Sequence, residues 1–191
     1  NQQMEKLTFG MKNTQEAISI RNQILMTFEK LIIEKTRSDD GNWNIVIVGS
    51  GATGVELAGA FAEMKSDILP RDYPNMNFDD LKIILISSGE KPLEAMSQES
   101  QDKAEEYLIN LGVTFMKAER VTDYDGDKVY TQSGKIIPSN NVIWAAGVTG
   151  NIIDGFANDQ LVRNRYKVDR YNRILGYDNI FAIGDIAYME T

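Results

Sequence analysis

One stretch of this chain joins a buried strand directly to three closely spaced glycines. The apolar run Ile45–Val48 is followed by Gly49-Ser50-Gly51-Ala52-Thr53-Gly54, which fits G-x-G-x-x-G and leads into residues that favour a helix. In dinucleotide-binding turns the first glycine permits a tight turn, the second lets the backbone approach a pyrophosphate, and the third lets the helix pack near the strand. The helix start adds free N–H groups and a positive dipole. We therefore predict a dinucleotide at Gly49, Gly51 and Gly54; the alternative is a glycine-rich turn that binds nothing.

Helix signals recur along the chain on either side of this turn. Apolar residues at helical spacing predict a long helix over residues 10–37, with Asn13 or Thr14 as the N-cap and Ser38–Gly41 as the stop. Further helices are predicted over 52–64 and 98–110, the second with Ser97 as its cap. Residues 66–80 contain two of the four prolines and are predicted to form a long connection.

Strand signals complete an alternating α/β pattern. Apolar runs of the kind found in strands buried on both faces of a parallel sheet occupy residues 43–48, 82–86, 113–116 and 141–144. Three shorter runs separated by Asp-Gly and Ser-Gly turn signals predict an antiparallel meander over residues 118–124, 128–131 and 135–137. The predicted fold class is α/β, a Rossmann-like three-layer domain with a parallel sheet and an added β-meander.

The end of the chain differs from the rest. Residues 150–191 are polar and irregular until 179–185, which predict a single strand ending in Gly184-Asp185. Because one strand cannot build a core, we expect it to be the edge of a second domain. The predicted organisation is a leading helix over 1–40, a dinucleotide-binding domain over 41–150, and a connection with that edge strand over 151–191.

Composition narrows the classes of function. The net charge is −8, with 28 acids against 20 bases, which argues against nucleic acid and anionic membrane surfaces as partners. The chain has neither cysteine nor histidine, so no zinc-type metal site is expected and the commonest general base is lacking. No stretch approaches the roughly 20 apolar residues of a membrane-spanning helix. Chemistry must therefore rest on carboxylates, backbone groups or a cofactor.

Acidic groups near the glycine turn are ambiguous. An acid usually follows the second strand and accepts hydrogen bonds from the adenosine ribose, but here the chain offers Ser87-Ser88-Gly89-Glu90. This leaves the choice between NADH and NADPH open. Thr53 and Glu56 fit a capping box, which would give Glu56 a structural role; alternatively, its carboxylate points toward the nicotinamide end of the ligand.

Other candidate motifs are weaker when taken singly. Tyr124 and Lys128 have the spacing of a short-chain dehydrogenase pair, but a turn signal lies between them, so we interpret the match as coincidence. Ala145-Ala146-Gly147-Val148 and Gly184-Asp185 each follow a predicted strand, where small residues allow close approach of a ligand or simply close packing.

Together and in order, these segments resemble the NADH-binding domain of type II NADH:quinone oxidoreductases, flavoproteins with two dinucleotide-binding domains. The resemblance covers nearly the whole chain and is carried by Ala17–Arg21, Phe28-Glu29, Gly49–Gly59, Trp144–Val148 and Tyr177–Asp185. It implies that Gly49, Gly51 and Gly54 line the NADH pyrophosphate, while Glu56 acts near the nicotinamide as the candidate catalytic residue. This chain departs from the family at Ser87, where relatives commonly carry Glu.

The resemblance also implies sites for the rest of the cofactor machinery. Ala146 and Gly147, with Ala145, would lie beside the nicotinamide and flavin, and Gly184 and Asp185 would contact FAD. Ser50, Ala52, Thr53, Ser87 and Ser88 complete the candidate cofactor-binding residues. The implied reaction is hydride transfer from NADH to FAD, followed by delivery of two electrons to a quinone.

The same resemblance sets expectations for context. It implies a peripheral protein on the cytoplasmic face of a bacterial inner membrane, with the FAD motif, the quinone site and the membrane anchor outside this chain. The fragment is then expected to be soluble and inactive alone, and whether the longer protein is a homodimer stays open. Two alternatives also stay open: another FAD-dependent reductase with a disulfide or ferredoxin acceptor, and an NAD(H)-sensing module without catalysis.

Overall fold

The computed structural model describes residues 2–34, 43–147 and 150–190, which group into two compact units, Asn1–Ala146 and Gly147–Thr191. The helices of the first unit are α1 Gln2–Leu7, α2 Thr14–Glu34, α3 Ala52–Glu63, α4 Leu69–Asp72 and α5 Gln98–Asn110. Its strands are β1 Phe9–Gly10, β2 Ile45–Val48, β3 Ile83–Ile86, β4 Thr114–Met116, β5 Val121–Tyr124, β6 Lys128–Thr131, β7 Ile136–Pro138 and β8 Asn141–Trp144. None of the helices in the described ranges is long and apolar enough to cross a bilayer.

A parallel sheet forms the middle layer of the first unit. Its described strands follow the order β1-β8-β2-β3-β4, and every neighbouring pair is parallel. The central strand β2 places Ile45 opposite Ile83 on one side and Asn141 on the other. All four residues of β2 are buried, as expected for a strand covered on both faces. The predicted parallel sheet is confirmed.

Two apolar clusters cover the two faces of this sheet. Alternate residues of β2 point to opposite faces, so Ile45 and Ile47 join one cluster while Val46 and Val48 join the other. The first cluster includes Phe28 of α2 and residues of α3 and α5, and the second includes residues of the meander β5–β7. Helices, sheet and meander give the three predicted layers.

The ends of the helices depend on local polar groups. Helix α2 begins at Thr14, and Asn13 caps it, because its Oδ1 accepts a 2.9 Å hydrogen bond from the Glu16 N–H. Ser97 caps α5 as predicted and accepts a bond from the Ser100 N–H. The predicted stop of the long helix at Ser38–Gly41 lies outside the described residues.

The prediction of a long connection from residue 66 is wrong over its first part. Helix α3 continues through a π-helical stretch, Met64–Ile68, into α4. Pro70 lies in the first turn of α4, where the fixed φ of proline fits the helix. Leu69 is 1% exposed and belongs to the core, so burial of this side chain favours the added turn. The two-residue strand β1 was too short to be predicted.

The second unit contains a small sheet of its own. Strand β10, Arg165–Val168, pairs antiparallel with β9, Leu161–Val162, and parallel with β11, Ala187–Met189. Tyr166, Val168, Ile174 and Ala182 form its buried cluster. The expectation of a single strand without a core in this part of the chain is therefore wrong, and its assignment to the edge of a second domain stays a prediction.

The predicted strand over 179–185 is also wrong. Only an isolated bridge joins Phe181 to Arg173, and Gly184–Ile186 form a 3₁₀ turn. A strand needs a partner along its whole length. Here pairing is limited to a short contact between residues 172–174 and 180–182. The Ala182 N–H donates to the Asn172 carbonyl and the Ile174 N–H donates to the Ile180 carbonyl.

Candidate functional site

The glycine turn lies at the carboxyl end of β2, where the chain leaves the sheet. Gly49 has a φ of +109°, a conformation that favours glycine. A Cβ at this position would lie 2.7 Å from the Ala146 nitrogen, at the end of β8. Gly49 therefore allows both the turn and the close approach of two strand ends.

Gly51 and Gly54 have opposite surroundings. Gly54 is buried, and a Cβ there would collide with the Gly49 carbonyl oxygen. Gly51 is exposed, and a Cβ there would meet no protein atom within 4 Å. Gly54 is thus required by packing inside the protein, whereas the space beside Gly51 is open to a ligand.

The first turn of α3 presents backbone N–H groups beside that space. Gly51 is the N-cap, and no side chain caps the helix within the described part of the chain. The helical hydrogen bonds begin with the Val55 N–H, which donates to the Gly51 carbonyl at 3.0 Å. The N–H groups of Ala52, Thr53 and Gly54 precede that bond and can bind an anion such as a phosphate.

The predicted capping box of Thr53 and Glu56 is wrong. Because α3 begins at Ala52, Thr53 already lies inside the first turn, two positions past the N-cap that a capping box requires. Glu56 lies one turn further along and its side chain is exposed. The structural role predicted for Glu56 is removed, and its carboxylate is available to other groups.

The ribose position after β3 is occupied by a buried serine pair. The Ser50 hydroxyl donates a 2.6 Å hydrogen bond to the Ser87 hydroxyl, and the two residues are 8% and 6% exposed. Ser87 Oγ also accepts a bond from the Gly89 N–H at 3.1 Å. Ser87 therefore joins the glycine turn to the loop after β3, while Ser88 is exposed. This pairing was not predicted, although the two serines lie one or two residues past the ends of neighbouring parallel strands.

The loop after β3 folds back over the glycine turn. Leu93 has a φ of +55°, and its N–H donates a 2.8 Å hydrogen bond to the Ser50 carbonyl. The carboxylate of Glu94 packs against Gly89, where a Cβ would collide with it. Glu90 in the same loop is exposed. Neither Leu93 nor Glu94 is predicted from the sequence, because nothing in the order of residues shows that this loop turns back.

Ala145 and Ala146 complete the carboxyl edge of the sheet. The Ala145 N–H donates a 2.9 Å hydrogen bond to the Val48 carbonyl, and Ala146 lies against Gly49. Gly147 follows with a φ of +79°, and Val148 lies outside the described residues. The structure thus brings the first two of these small residues to the glycine turn.

Comparison with known proteins assigns the family. The profile described as pyridine nucleotide-disulphide oxidoreductase matches residues 7–191. The chain belongs to this family. The predicted superfamily is thereby confirmed.

Two curated relatives are similar over nearly the whole chain. The type II NADH:quinone oxidoreductase Ndh of Mycobacterium tuberculosis is 30% identical over 198 residues, covering 95% of this chain and 41% of the relative. A probable NADH dehydrogenase of Dictyostelium discoideum is 28% identical over 197 residues, covering 96% and 44%. The chain therefore spans less than half the length of these relatives.

A solved member of the same fold agrees closely in structure. The structure of NDH2 from Plasmodium falciparum in complex with NADH has a TM-score of 0.81 and 25% identity, covering 97% of this chain and 40% of that protein. A ferredoxin reductase from Rhodopseudomonas palustris has a TM-score of 0.65 at 17% identity and shows the fold alone. The predicted Rossmann-like fold is confirmed.

The residues predicted to contact FAD in this pyridine nucleotide-disulphide oxidoreductase lie in the second unit. Gly184 has a φ of +74° and begins the 3₁₀ turn that contains Asp185. Both residues are exposed. An exposed carboxylate beside an open glycine suits a polar cofactor, and the assignment to FAD stays a prediction.

Tyr124 has a structural environment. It is 3% exposed, and its hydroxyl donates to the carbonyls of Gly126 at 2.8 Å and Ser139 at 3.2 Å. Burial raises the pKa of Tyr124 to about 12. Lys128 lies on the next strand, across a turn. The interpretation of the Tyr124/Lys128 spacing as coincidence agrees with this geometry.

Proposed function

We propose that the first unit binds NADH at the carboxyl edge of its parallel sheet. The open space over Gly51, beside the amides of Ala52, Thr53 and Gly54, carries this proposal, since it offers a pyrophosphate both room and hydrogen-bond donors. The names of the M. tuberculosis relative and of the P. falciparum structure, which mention NADH, support the choice of ligand.

We further propose that the chain is the NADH-binding part of a flavin-dependent NADH dehydrogenase with a quinone as electron acceptor. Bound FAD supplies two-electron redox chemistry between NADH and the quinone. Ala145, Ala146 and Gly147 let the nicotinamide approach closely, and Glu56 orients it as the candidate catalytic residue. Gly184 and Asp185 would hold FAD. Hydride transfer requires the nicotinamide and flavin rings to be held in contact.

Quinone contact is proposed for parts of a longer protein, as the partial coverage of the relatives suggests. We propose that this protein works at the cytoplasmic face of a bacterial inner membrane, where a lipid-soluble quinone is within reach. The net charge of −8 does not favour direct contact of this chain with anionic lipid.

A titration of the chain with NADH, followed by tryptophan fluorescence, tests the binding proposal. Trp144 immediately precedes Ala145 and is half-buried, so it can report occupancy of this edge. Saturable binding is expected, and Gly51→Ala should weaken it about tenfold, because the new methyl group takes the space of a phosphate oxygen.

Gly59→Ala is the matched control. It lies on the same helix two turns away, and its Cβ would meet only Leu111 at 4.0 Å. Unchanged affinity is expected for this variant. A folded chain that does not bind millimolar NADH, or equal losses in the two variants, would contradict the proposal. Oxidation of NADH with quinone by the longer protein then separates the enzyme from an NAD(H) sensor.

A further inference from the structure

The adenosine end of the proposed NADH site lacks its usual acid. In NAD-binding domains of this fold an Asp or Glu after the second strand accepts hydrogen bonds from the ribose hydroxyls. Ser87 holds that position here, and its hydroxyl already accepts bonds from Ser50 and from the Gly89 N–H. Ser87 carries no charge and already accepts two hydrogen bonds, so accepting bonds from the ribose hydroxyls requires another group.

The fold brings a different carboxylate to the same loop. The Leu93 N–H bonds to the Ser50 carbonyl, which turns the chain back and sets the next residue, Glu94, over Gly89. Gly89 is not among the residues with positive φ, so its backbone conformation does not demand glycine. What a side chain at Gly89 would meet is the Glu94 carboxylate. Glycine at this position leaves room for that carboxylate, and the Gly89 N–H itself donates to the Ser87 hydroxyl.

The Glu94 carboxylate is also accessible to a ligand. Glu94 is exposed, and the hydrogen bond that Gln101 donates to it, at 3.4 Å, goes to the backbone carbonyl rather than the side chain. The side chain can therefore accept bonds from a diol without breaking that contact.

Cations close to this loop are already paired. Lys91 forms ion pairs with Glu105 and, at 3.1 Å, with Asp102, and Lys117 lies 3.6 Å from Glu105. These carboxylates offset the charge that a 2′-phosphate would need. The loop thus presents a carboxylate rather than a free cation, which suits the ribose of NADH and opposes that of NADPH by like-charge repulsion.

We propose that Glu94 is the specificity-determining acid of this chain, accepting hydrogen bonds from the adenosine ribose of NADH and excluding NADPH. This inference rests on the proposed NADH site. In this fold the ribose-binding acid ordinarily stands directly after the second strand, where this chain has Ser87. The proposal assigns that role to Glu94, seven residues further along.

The test compares dissociation constants for NADH and NADPH in Glu94→Gln and in Glu90→Gln, an exposed acid of the same loop. Glu94→Gln should weaken NADH binding about tenfold and lower the preference for NADH over NADPH by at least that factor. Glu90→Gln should leave the preference within about twofold. An unchanged preference in Glu94→Gln, or an equal change in Glu90→Gln, overturns the proposal.

A second pair of variants tests the contact itself. Gly89→Ala should displace the Glu94 carboxylate and reproduce the loss of preference, whereas adding Gly89→Ala to Glu94→Ala should have no further effect. Additive losses in the double variant would contradict a role through Glu94. If the unmodified chain binds neither dinucleotide, the NADH site itself is wrong; if it binds NADH but Glu94→Gln keeps the preference, only the present inference fails.

Discussion

The two ends of the parallel sheet differ in whether their polar groups are buried and paired within the protein. At the amino end, Asn44, Ser139 and Asn141 are 6%, 0% and 1% exposed, and their side chains hydrogen-bond to the backbone around them. At the carboxyl end, Gly51 is exposed and the first amides of α3 have no side-chain cap. One end is closed by the protein, and the other is open to a ligand.

The closed end is held by a connected network. Ser139 Oγ donates to the Asn44 carbonyl at 2.7 Å and accepts from the Asn141 N–H at 3.0 Å. Asn141 Nδ2 donates to the Trp43 carbonyl at 3.3 Å, and its Oδ1 accepts from Thr27 at 3.1 Å. Buried polar groups stabilise only when they are paired, so this end contributes stability and specifies strand register. The same strands therefore contribute to stability at their amino ends and to ligand binding at their carboxyl ends.

Gly54→Ala and Gly51→Ala give the sharpest contrast at the open end. Gly54→Ala should cost about 3 kcal/mol or more of unfolding free energy, because its methyl group collides with the Gly49 carbonyl. Gly51→Ala should change the free energy of unfolding by less than about 0.5 kcal/mol while weakening the binding of NADH. Chemical denaturation measures both. Equal destabilisation would show that the space over Gly51 is not open.

Asn141→Ala tests the closed end. It should lower the free energy of unfolding by about 2 kcal/mol, since it removes the buried side-chain hydrogen bonds to the Trp43 and Asn44 carbonyls and the bond from Thr27. Asn140→Ala is the adjacent control and should cost less than about 1 kcal/mol, because Asn140 is only partly buried. NADH affinity should be unchanged in both variants. A loss of affinity in Asn141→Ala would break the separation of the two ends.

Alkaline pH should weaken the closed end through Tyr124, which bonds to the Ser139 carbonyl. The pKa of Tyr124 is raised to about 12 in the folded protein by burial, above its ordinary 10.0. Its contribution is therefore complete below pH 10 and lost as pH rises toward 12, by up to about 1.4 kcal/mol per pH unit. Tyr124→Phe should remove this part of the pH dependence. Tyr107→Phe, at an exposed tyrosine, should retain it.

Glu56→Gln should have the smallest effect on stability at the open end. Because Glu56 is exposed and caps no helix, the free energy of unfolding should change by less than about 0.5 kcal/mol. If the Glu56 carboxylate faces the nicotinamide, NADH affinity should fall severalfold, which corresponds to roughly 1 kcal/mol of binding free energy. Glu63→Gln, at the other end of α3, should change neither. Identical behaviour of the two variants would remove Glu56 from the proposed site.

Much of the fold could be predicted because its signals are local. The strands β2, β3 and β8 are apolar runs with sharp boundaries, and the meander has glycine at both turns, Gly126 and Gly134, each with positive φ. The helix through Pro70 and the pairing of β9–β11 escaped prediction. Both depend on contacts between residues that are far apart in sequence. One example is the burial of Leu69 in the core.

The candidate site divides in the same way. The glycine turn was predictable because its three glycines lie between one strand and the helix that directly follows it in sequence. The Ser50–Ser87 bond was not predictable, because it joins segments that meet only when β2 and β3 lie side by side. The Glu94–Gly89 contact was not predictable either, because it depends on the loop turning back to the Ser50 carbonyl. The capping box at Thr53 failed because the helix start was misplaced by two residues.

Amide hydrogen exchange with and without saturating NADH tests most directly whether the open end is the binding end. Exchange should slow at residues 49–56 and 87–90, where the ligand covers the glycine turn and the loop after β3, and stay unchanged at 43–44 and 139–141, which the protein already closes. Slower exchange at 139–141 but not at 49–56, in a chain shown to bind NADH, would contradict the account.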